Sequence, residues 1–500
     1  MNITSGIWRH SYSSPERTAV IHDGQAVSYL KLRRMTNLAS ARLWKIGVRR
    51  GDRVAVSSRN PLAYLVVVLA SARLGASATA FKAEGAPAIK ETLLARHRIA
   101  WLVYDKFEAW RSGNSAHVHI PVQDLLAPAP GEQVEIPPVA TDVDHEPWLI
   151  ATSSGTTGVP KSIAQTHARC AVNFFLGRPW TYAEPPTVLV YADLALSMGM
   201  GHVMRALLSG ATAMITASAS PQFFFEMVER DRPSRIVTTT GLATKLAKYA
   251  AERLAQSLTL CASVQSIAVS GASVSPALRE SIRTRICSQL EVNYGSTEAG
   301  LLASATPQAL AVHPESAGLI LPWVHAEATD EQHRPLPPGT AGMLRFKTPA
   351  LVDGYVGDDE ATKRAFRDGW FYPGDTGSVS ESGYLFLAGR ADHLLNLGGR
   401  KLDPVVIENA LNAHPAVLES AVVAVRPDSA DVAVLVAVVV LQAAVEMDEL
   451  RVWCSNRVGP ALTPRQVITA QTLPKNAGGK LMREQLTRNL ERKIKGSVEA

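Results

Sequence analysis

An α/β fold is predicted for this 500-residue chain by three observations. Strand-length apolar runs alternate with longer amphipathic stretches: Arg53 to Ser57, then 61 to 74, then Ala100 to Tyr104, and again Arg235 to Thr239, 241 to 255 and 266 to 270. That rhythm is the pattern of β-α-β units and largely parallel sheets. The length exceeds what one hydrophobic core organises, so two or more domains are expected. Near the C-terminus the style changes, because VLESAVVAV and DVAVLVAVVVLQ, separated by RPDSA, read as a hairpin within 416 to 442. We therefore expect a large N-terminal domain of mixed and parallel sheets flanked by helices, residues 1–389, and a small α+β C-terminal domain, residues 390–500.

Taken in order, the N-terminus MNITSGIWRHSYSSPER has no basic region followed by an apolar core, so no signal peptide is expected. Helical spacing from Ala63 to Leu74 is broken by Arg73, and the longest apolar run, Val432 to Leu441, is short and valine-rich. Both argue for core elements, not a membrane span. A proline-rich connector at 127 to 147 delivers the chain to a strand at Trp148 to Thr152. Later come a turn-rich passage at 381 to 389 and a domain boundary near Arg390.

After Thr152 the chain reads SSGTTGVPK, residues 153 to 161. Gly155 and Gly158 permit backbone approaches that a Cβ would block, Ser153, Ser154, Thr156 and Thr157 add hydroxyl donors, and Lys161 adds a point charge. Such a segment can wrap phosphate, although Ser/Thr/Gly composition is also that of a surface linker. The Walker spacing from Gly155 to Lys161 and Ser162 is met at every position but one. Pro160 stands where the second glycine must be, and with no amide donor and a fixed φ it rules out the Walker cradle.

Four further segments place functional side chains in loops: NYGSTE at 293 to 298, DGWFYPGDTG at 368 to 377, GRADHLLNLGGRKLDPVVIE at 389 to 408, and PKNAGGK at 474 to 480. Singly, Glu298 reads equally as a helix N-terminal acid, Asp375 as a turn former, Arg390 as a surface charge and Lys480 as a solvated cation. In this order, the five segments resemble the core motifs of the adenylate-forming superfamily: acyl-CoA synthetases, luciferases and nonribosomal peptide adenylation domains. The resemblance spans nearly the whole chain, including the helix and Gly-Asp strand within 27 to 60, the helix and strand from Ala63 to Phe81, and the strand and Gly-Ala loop of 266 to 280.

Bulk properties agree. The composition, 46% hydrophobic and 19% charged, is that of a globular enzyme. A net charge of +6 is small for so large a surface and does not call for nucleic acid. The four cysteines are scattered without metal spacing, as expected of reduced thiols in a cytoplasmic protein.

What the resemblance implies is ATP-dependent activation of a small-molecule carboxylic acid, aryl or medium-chain aliphatic, to an acyl-adenylate, followed by thioester formation with CoA. A carboxylic acid acylates poorly because hydroxide would have to leave; exchange for AMP removes that obstacle, provided positive charge gathers where two anions meet. By resemblance, Ser153 to Lys161 would hold the β- and γ-phosphates, Thr297 the α-phosphate, and Glu298 the Mg²⁺. Tyr294, followed by Gly295, would lie on one face of the adenine with Gly271 and Ala272 on the other side, Asp375 would take the ribose hydroxyls, and Arg390 would stand nearby. Lys480 would bridge acid and α-phosphate as charge builds, an effect worth about 3–4 kcal/mol. The C-terminal domain would be mobile, hinged at Asp392, with Gly398 and Gly399 passing the pantetheine arm.

The sequence also departs from the family. Val406 replaces the first of two common glutamates, leaving Glu408. In the acyl-pocket segment 191 to 211, the usual aromatic and His or Asp fall on Leu194 and Ala195, which weakens an amino-acid substrate unless Asp193 substitutes. Ala195, Ser197, Met198, Gly199, Thr240 and Gly241 are the expected pocket residues, although methionines here are also ordinary core. Two alternatives stay open: transfer to a free-standing carrier protein in place of CoA, and a catalytically silent nucleotide-binding scaffold. No nucleic-acid or membrane partner is expected.

Overall fold

The structure is a computed structural model that describes residues 1–81, 86–105, 117–127, 134–152, 160–176, 185–253, 261–390, 395–397, 400–425, 433–476 and 479–496. The chain forms two compact units. The first comprises Met1–Val237 with Thr297–Gly300 and Pro349–Arg364; the second comprises Thr238–Ser296, Leu301–Thr348 and Ala365–Ala500.

In the first unit, β1 (Arg53–Ser57), β2 (Ser77–Phe81), β3 (Trp101–Tyr104), β4 (Val118–Pro121), β5 (Pro147–Thr152) and β6 (Ser162–Thr166) form one sheet in the order β4-β3-β1-β2-β5-β6. All neighbours are parallel except β5 and β6. The β-α-β rhythm is thus borne out. Helices α1 (Tyr29–Lys45) and α2 (Pro61–Arg73) pack together, and α2 is buried along nearly its whole length. Asn60 caps α2 by accepting from the Ala63 amide, and Pro61 opens it where no amide donor is needed. Arg73 is not a break in this helix. It is buried, donating to Asn37 Oδ1 at 3.0 Å and the Pro137 carbonyl at 2.7 Å. Helices α3 (His167–Leu176) and α4 (Ser197–Leu208) follow. The β5–β6 pair is antiparallel with Thr152 opposite Ser162.

The second unit contains α5 (Thr240–Arg253) and the parallel pair β7 (Ser266–Ser270) and β8 (Leu290–Ser296). The antiparallel pair β9 (Asp375–Val379) and β10 (Tyr384–Arg390) belongs to this unit too. Its C-terminal part has α6 (Pro404–Asn412), β11 (Val417–Val425), β12 (Val434–Leu441), β13 (Gln466–Thr469) and α7 (Arg483–Gly496). β11 and β12, the two apolar runs expected to pair, are antiparallel, and β13 joins β12 in parallel. Ile407, Leu411, Val422, Val439, Leu450 and Val467 form a core confined to this stretch. Glu408, the surviving glutamate, is structural. It accepts from the Val422 amide at 2.7 Å and Arg483 at 2.6 Å, tying α6 and α7 to β11, whereas Val406 is exposed. Among the described residues no helix is long and apolar enough to cross a membrane.

Candidate active site

Lys161 directly precedes β6. Its Nζ lies 4.6 Å from the centroid of the Tyr355 ring, and the Tyr355 hydroxyl donates to Glu298 Oε1 at 2.9 Å. A cation, an aromatic and a carboxylate therefore form one cluster in the first unit. The backbone beneath Glu298 is fixed. Arg169 Nη2 donates to the carbonyls of Thr297 at 3.1 Å and Glu298 at 2.5 Å, Gln165 Nε2 to Thr297 O at 3.4 Å, and the Val352 amide to Glu298 O at 3.0 Å. Burial lowers the Arg169 pKa to about 10, with Glu298 and Asp353 opposing, so it stays cationic at neutral pH. At the start of β6, Ser162 Oγ shares a 2.8 Å hydrogen bond with Nε2 of buried His97; desolvation, then Arg53 and Arg96, pull the His97 pKa to about 4. Ser153, Ser154, Gly155, Thr156, Thr157 and Gly158 lie outside the described residues, as do the expected hinge Asp392 and channel residues Gly398 and Gly399.

In the second unit, Asp375 opens β9 and Arg390 closes β10, and the two are directly paired in register. Asp375 is therefore a strand residue, not the free turn former its glycine flanks suggest. Arg390 Nη1 donates to Asp375 Oδ1 at 3.1 Å and the Tyr294 hydroxyl to Oδ2 at 2.5 Å. Gly374 has φ +84, a conformation that favours glycine, and a Cβ there would stand 3.1 Å from Arg390 Nη2. The Tyr294 ring lies 5.7 Å from that of Phe346, and Gly295 continues β8 beside it.

Lys480 sits on a turn closed on both sides of Asn476: its amide donates to Asn476 Oδ1 at 3.1 Å, and the Asn476 amide donates to its carbonyl at 2.9 Å. Gly479, at φ +81, is buried against the start of α5. A Cβ on it would lie 2.8 Å from the Gly241 nitrogen. The neighbouring Thr240 hydroxyl donates to Ala272 O at 3.0 Å and Ser270 O at 3.4 Å. The lysine turn, the start of α5 and the Gly271–Ala272 loop are thus consecutive layers, while the Lys480 side chain itself is exposed.

Several of the expected acyl-pocket residues are buried or already engaged. Thr240 is buried and spent on the 270–272 loop, and Gly241 is covered by Gly479. Ala195 is buried, and Gly199 packs onto the Asp193 carbonyl too closely for any Cβ. Asp193 Oδ1 caps its own turn by accepting from the Ala195 amide at 2.9 Å. Met200 is core, while Ser197 and Met198 keep accessible surface. Sequence reasoning missed Tyr355 and Arg169. Tyr355 had a readable signal, an aromatic set among the loop glycines of GYVG; no spacing rule singles out Arg169.

Glu298 suits Mg²⁺ chemically. One carboxylate oxygen accepts from Tyr355, leaving lone pairs for a hard cation, and no group of three or more His, Cys, Asp or Glu exists among the described residues. A single carboxylate completed by phosphate oxygens is how Mg²⁺ is commonly held.

Comparison with known proteins shows a profile of the AMP-binding enzyme family matching residues 7–356, and one of the AMP-binding enzyme C-terminal domain matching 406–480. A feruloyl-CoA synthase from Amycolatopsis sp is 29% identical, over 97% of this chain and 98% of that protein. A 2-succinylbenzoate–CoA ligase from Listeria monocytogenes is 25% identical, over 97% and 99%. Among solved structures, the anthranilate CoA ligase in complex with anthranoyl-AMP superposes with a TM-score of 0.86 at 20% identity, covering 98% of this chain and 97% of that one. The o-succinylbenzoate CoA synthetase of Bacillus subtilis, in complex with its acyl-adenylate, gives 0.82 at 22%, covering 96% and 97%. Those structures carry the same fold, with the large domain and the C-terminal domain both present in this sequence. The chain belongs to the AMP-binding enzyme family, the adenylate-forming ligases.

Proposed function

We propose that this ligase activates an aryl or medium-chain aliphatic carboxylic acid with ATP, releasing pyrophosphate, and then passes the acyl group to CoA. The relatives named above are CoA ligases of aromatic acids, which supports both the acceptor and the aryl end of the range. What supports the reading most within the molecule is the Lys480 turn, seated on the start of α5 whose Thr240 hydroxyl holds the Gly271–Ala272 loop.

Each residue then has a definable task. Lys161 neutralises phosphate charge, Arg169 fixes the Thr297–Glu298 backbone, and Asp375 with Arg390 and Tyr294 orients the ribose. Mg²⁺, when bound by Glu298, supplies charge neutralisation of the leaving pyrophosphate. Lys480 offers an ammonium to the developing negative charge between acid and α-phosphorus. The segment from Arg390 onward, with its own core, is the part that withdraws Lys480 after adenylation so that the thioester step can follow. We place the enzyme in the cytoplasm, consistent with four free thiols.

The test is acid-dependent ATP–pyrophosphate exchange over aryl, aliphatic and amino acids, followed by thioester assay with CoA. Exchange with a carboxylic acid and a CoA product supports the reading. No exchange with any acid, in protein that binds ATP, refutes it.

A further inference from the structure

Within the second unit, α5 and the helix Pro276–Arg285 meet the C-terminal segment at several points. Gly241 of α5 faces Gly479. Two turns on, Lys248 Nζ donates to Gln471 Oε1 at 2.8 Å and to the Gln471 carbonyl at 3.4 Å. Ser275, ahead of the other helix, donates its hydroxyl to the Leu418 carbonyl at 2.6 Å. That last bond is built from both sides. Ser275 is the N-cap of its helix, and its Oγ already accepts from the Leu278 amide at 3.2 Å. A cap needs only the acceptor, so the hydroxyl proton is left to be donated. On β11 the register with β12 shifts between Val417 and Glu419, which makes Leu418 an extra residue with no partner across the pair. A bulge of this kind frees a backbone group from the ladder and re-aims it. The next residue, Glu419, pairs with Lys475, whose backbone bridges to Leu481 across the Lys480 turn. Ser275 is thereby linked through β11 to the turn that carries Lys480.

Among the described residues, the apolar core of the C-terminal segment draws no side chain from α5 or from the helix Pro276–Arg285. Contacts at its edge can therefore be made and broken without opening that core. Hydrogen bonds at exposed or half-buried positions are individually weak, as a fastening released in every turnover has to be.

We propose that Ser275 and Lys248 form a latch for the C-terminal segment. While Ser275 holds Leu418 and Lys248 holds Gln471, Lys480 is seated for adenylation; release of both permits the thioester step. The two act through the Lys480 turn and are positioning residues. The inference rests on the two-step reading above and adds to it the side chains that set how the enzyme divides its time between the steps. At saturating substrates the adenylation rate follows the seated fraction and the thioester rate follows the released fraction. Their ratio therefore follows the seating equilibrium, whichever arrangement is the more populated.

The experiment measures both half-reactions in the full chain, with the acid giving the fastest exchange in the panel above, its chemically prepared adenylate, and CoA. Ser275→Asp keeps a capping oxygen but has no proton to donate. The ratio of adenylation rate to thioester rate should fall about two- to tenfold in it, with the melting temperature preserved. Ser275→Thr, which keeps both cap and donor, should hold the ratio within about twofold. Gln471→Lys sets two ammonium groups against each other and should lower the ratio by about twofold or more. Adding Lys248→Gln restores a donor and an acceptor with the charge exchanged, and should return the ratio to the wild-type value. This surface pair carries the comparison if Ser275→Asp does not fold. An unchanged ratio in Ser275→Asp and Gln471→Lys overturns the latch, including the case of equal loss in both half-reactions, which is what a purely structural role gives. Failure of Lys248→Gln to rescue Gln471→Lys overturns it as well. In each of these cases wild-type enzyme still performs both steps and the ligase reading stands; no exchange by wild type with any acid removes both.

Discussion

Asp375 has one oxygen on Arg390 and the other on the Tyr294 hydroxyl, so a ribose diol must share those oxygens or displace a donor. A carboxylate offers about four lone-pair positions, which makes sharing feasible. Removing the carboxylate takes one hydrogen-bond partner from Arg390 and one from Tyr294, and takes away both ribose contacts. Asp375→Ala is therefore expected to raise the KM for ATP at least tenfold, and an unchanged value in steady-state kinetics would end the ribose role. Tyr355 poses a smaller question, since its hydroxyl orients Glu298 while its ring lies against Lys161. Tyr355→Phe keeps the ring and loses one hydrogen bond of about 0.5–1.5 kcal/mol. The Mg²⁺ concentration that half-saturates exchange should then rise two- to tenfold; a magnesium titration showing no shift would detach Tyr355 from the metal site.

Helix α5 begins at the Lys480 turn, and there a single methyl group matters. A Cβ on Gly241 would lie 3.2 Å from the Gly479 Cα and 3.5 Å from Lys475 Cδ. Alanine would crowd the turn, whereas valine would displace it. Gly241→Val should lower acid-dependent exchange at least tenfold yet spare thioester formation from supplied acyl-adenylate; equal loss of both would make the contact merely structural. This interlock shows where sequence reasoning stops. Apolar run length located the β1-α2-β2 unit and the β11–β12 pair, because those elements are buried almost continuously and read as unbroken apolar runs of strand or helix length. Motif order located Glu298, Asp375, Arg390 and Lys480, because their loops carry glycines and charges that packing does not require. The roles of Thr240 and Gly241 depend on contacts with residues 271–272 and 479, which no local pattern encodes. Gly199 is ambiguous for the same reason: a small residue in a pocket segment can serve a close approach of backbone as well as a substrate.

At the scale of the molecule, two responses to conditions follow. His97 and His167 are buried, each with its pKa lowered to about 4, mainly by desolvation. Unfolded, each titrates near 6.5, so between these values the unfolded chain binds protons that the folded chain refuses. Their contribution to stability is whole above pH 6.5, declines as pH falls toward 4, and is then constant, amounting to up to about 3 kcal/mol each. Urea unfolding between pH 7.5 and 5 should show that decline, and it should be smaller in His97→Gln; parallel curves would remove His97 as a cause. The second response concerns how one chain performs two reactions. Lys480 belongs to a turn fixed through Asn476 and Gly479, but its side chain is exposed and carries no hydrogen bond or ion pair among the described residues. Lys480→Ala should therefore leave the melting temperature unchanged. If its ammonium acts only while acid and α-phosphate combine, exchange should fall by at least 100-fold, the 3–4 kcal/mol scale of such electrostatic contacts. ATP binding and the conversion of supplied acyl-adenylate to thioester should persist within about threefold. Stopped-flow measurement of each half-reaction separates the outcomes: loss confined to adenylation assigns the lysine to the first step, whereas equal loss in both would mean that the turn serves the site in a single arrangement and that no withdrawal occurs.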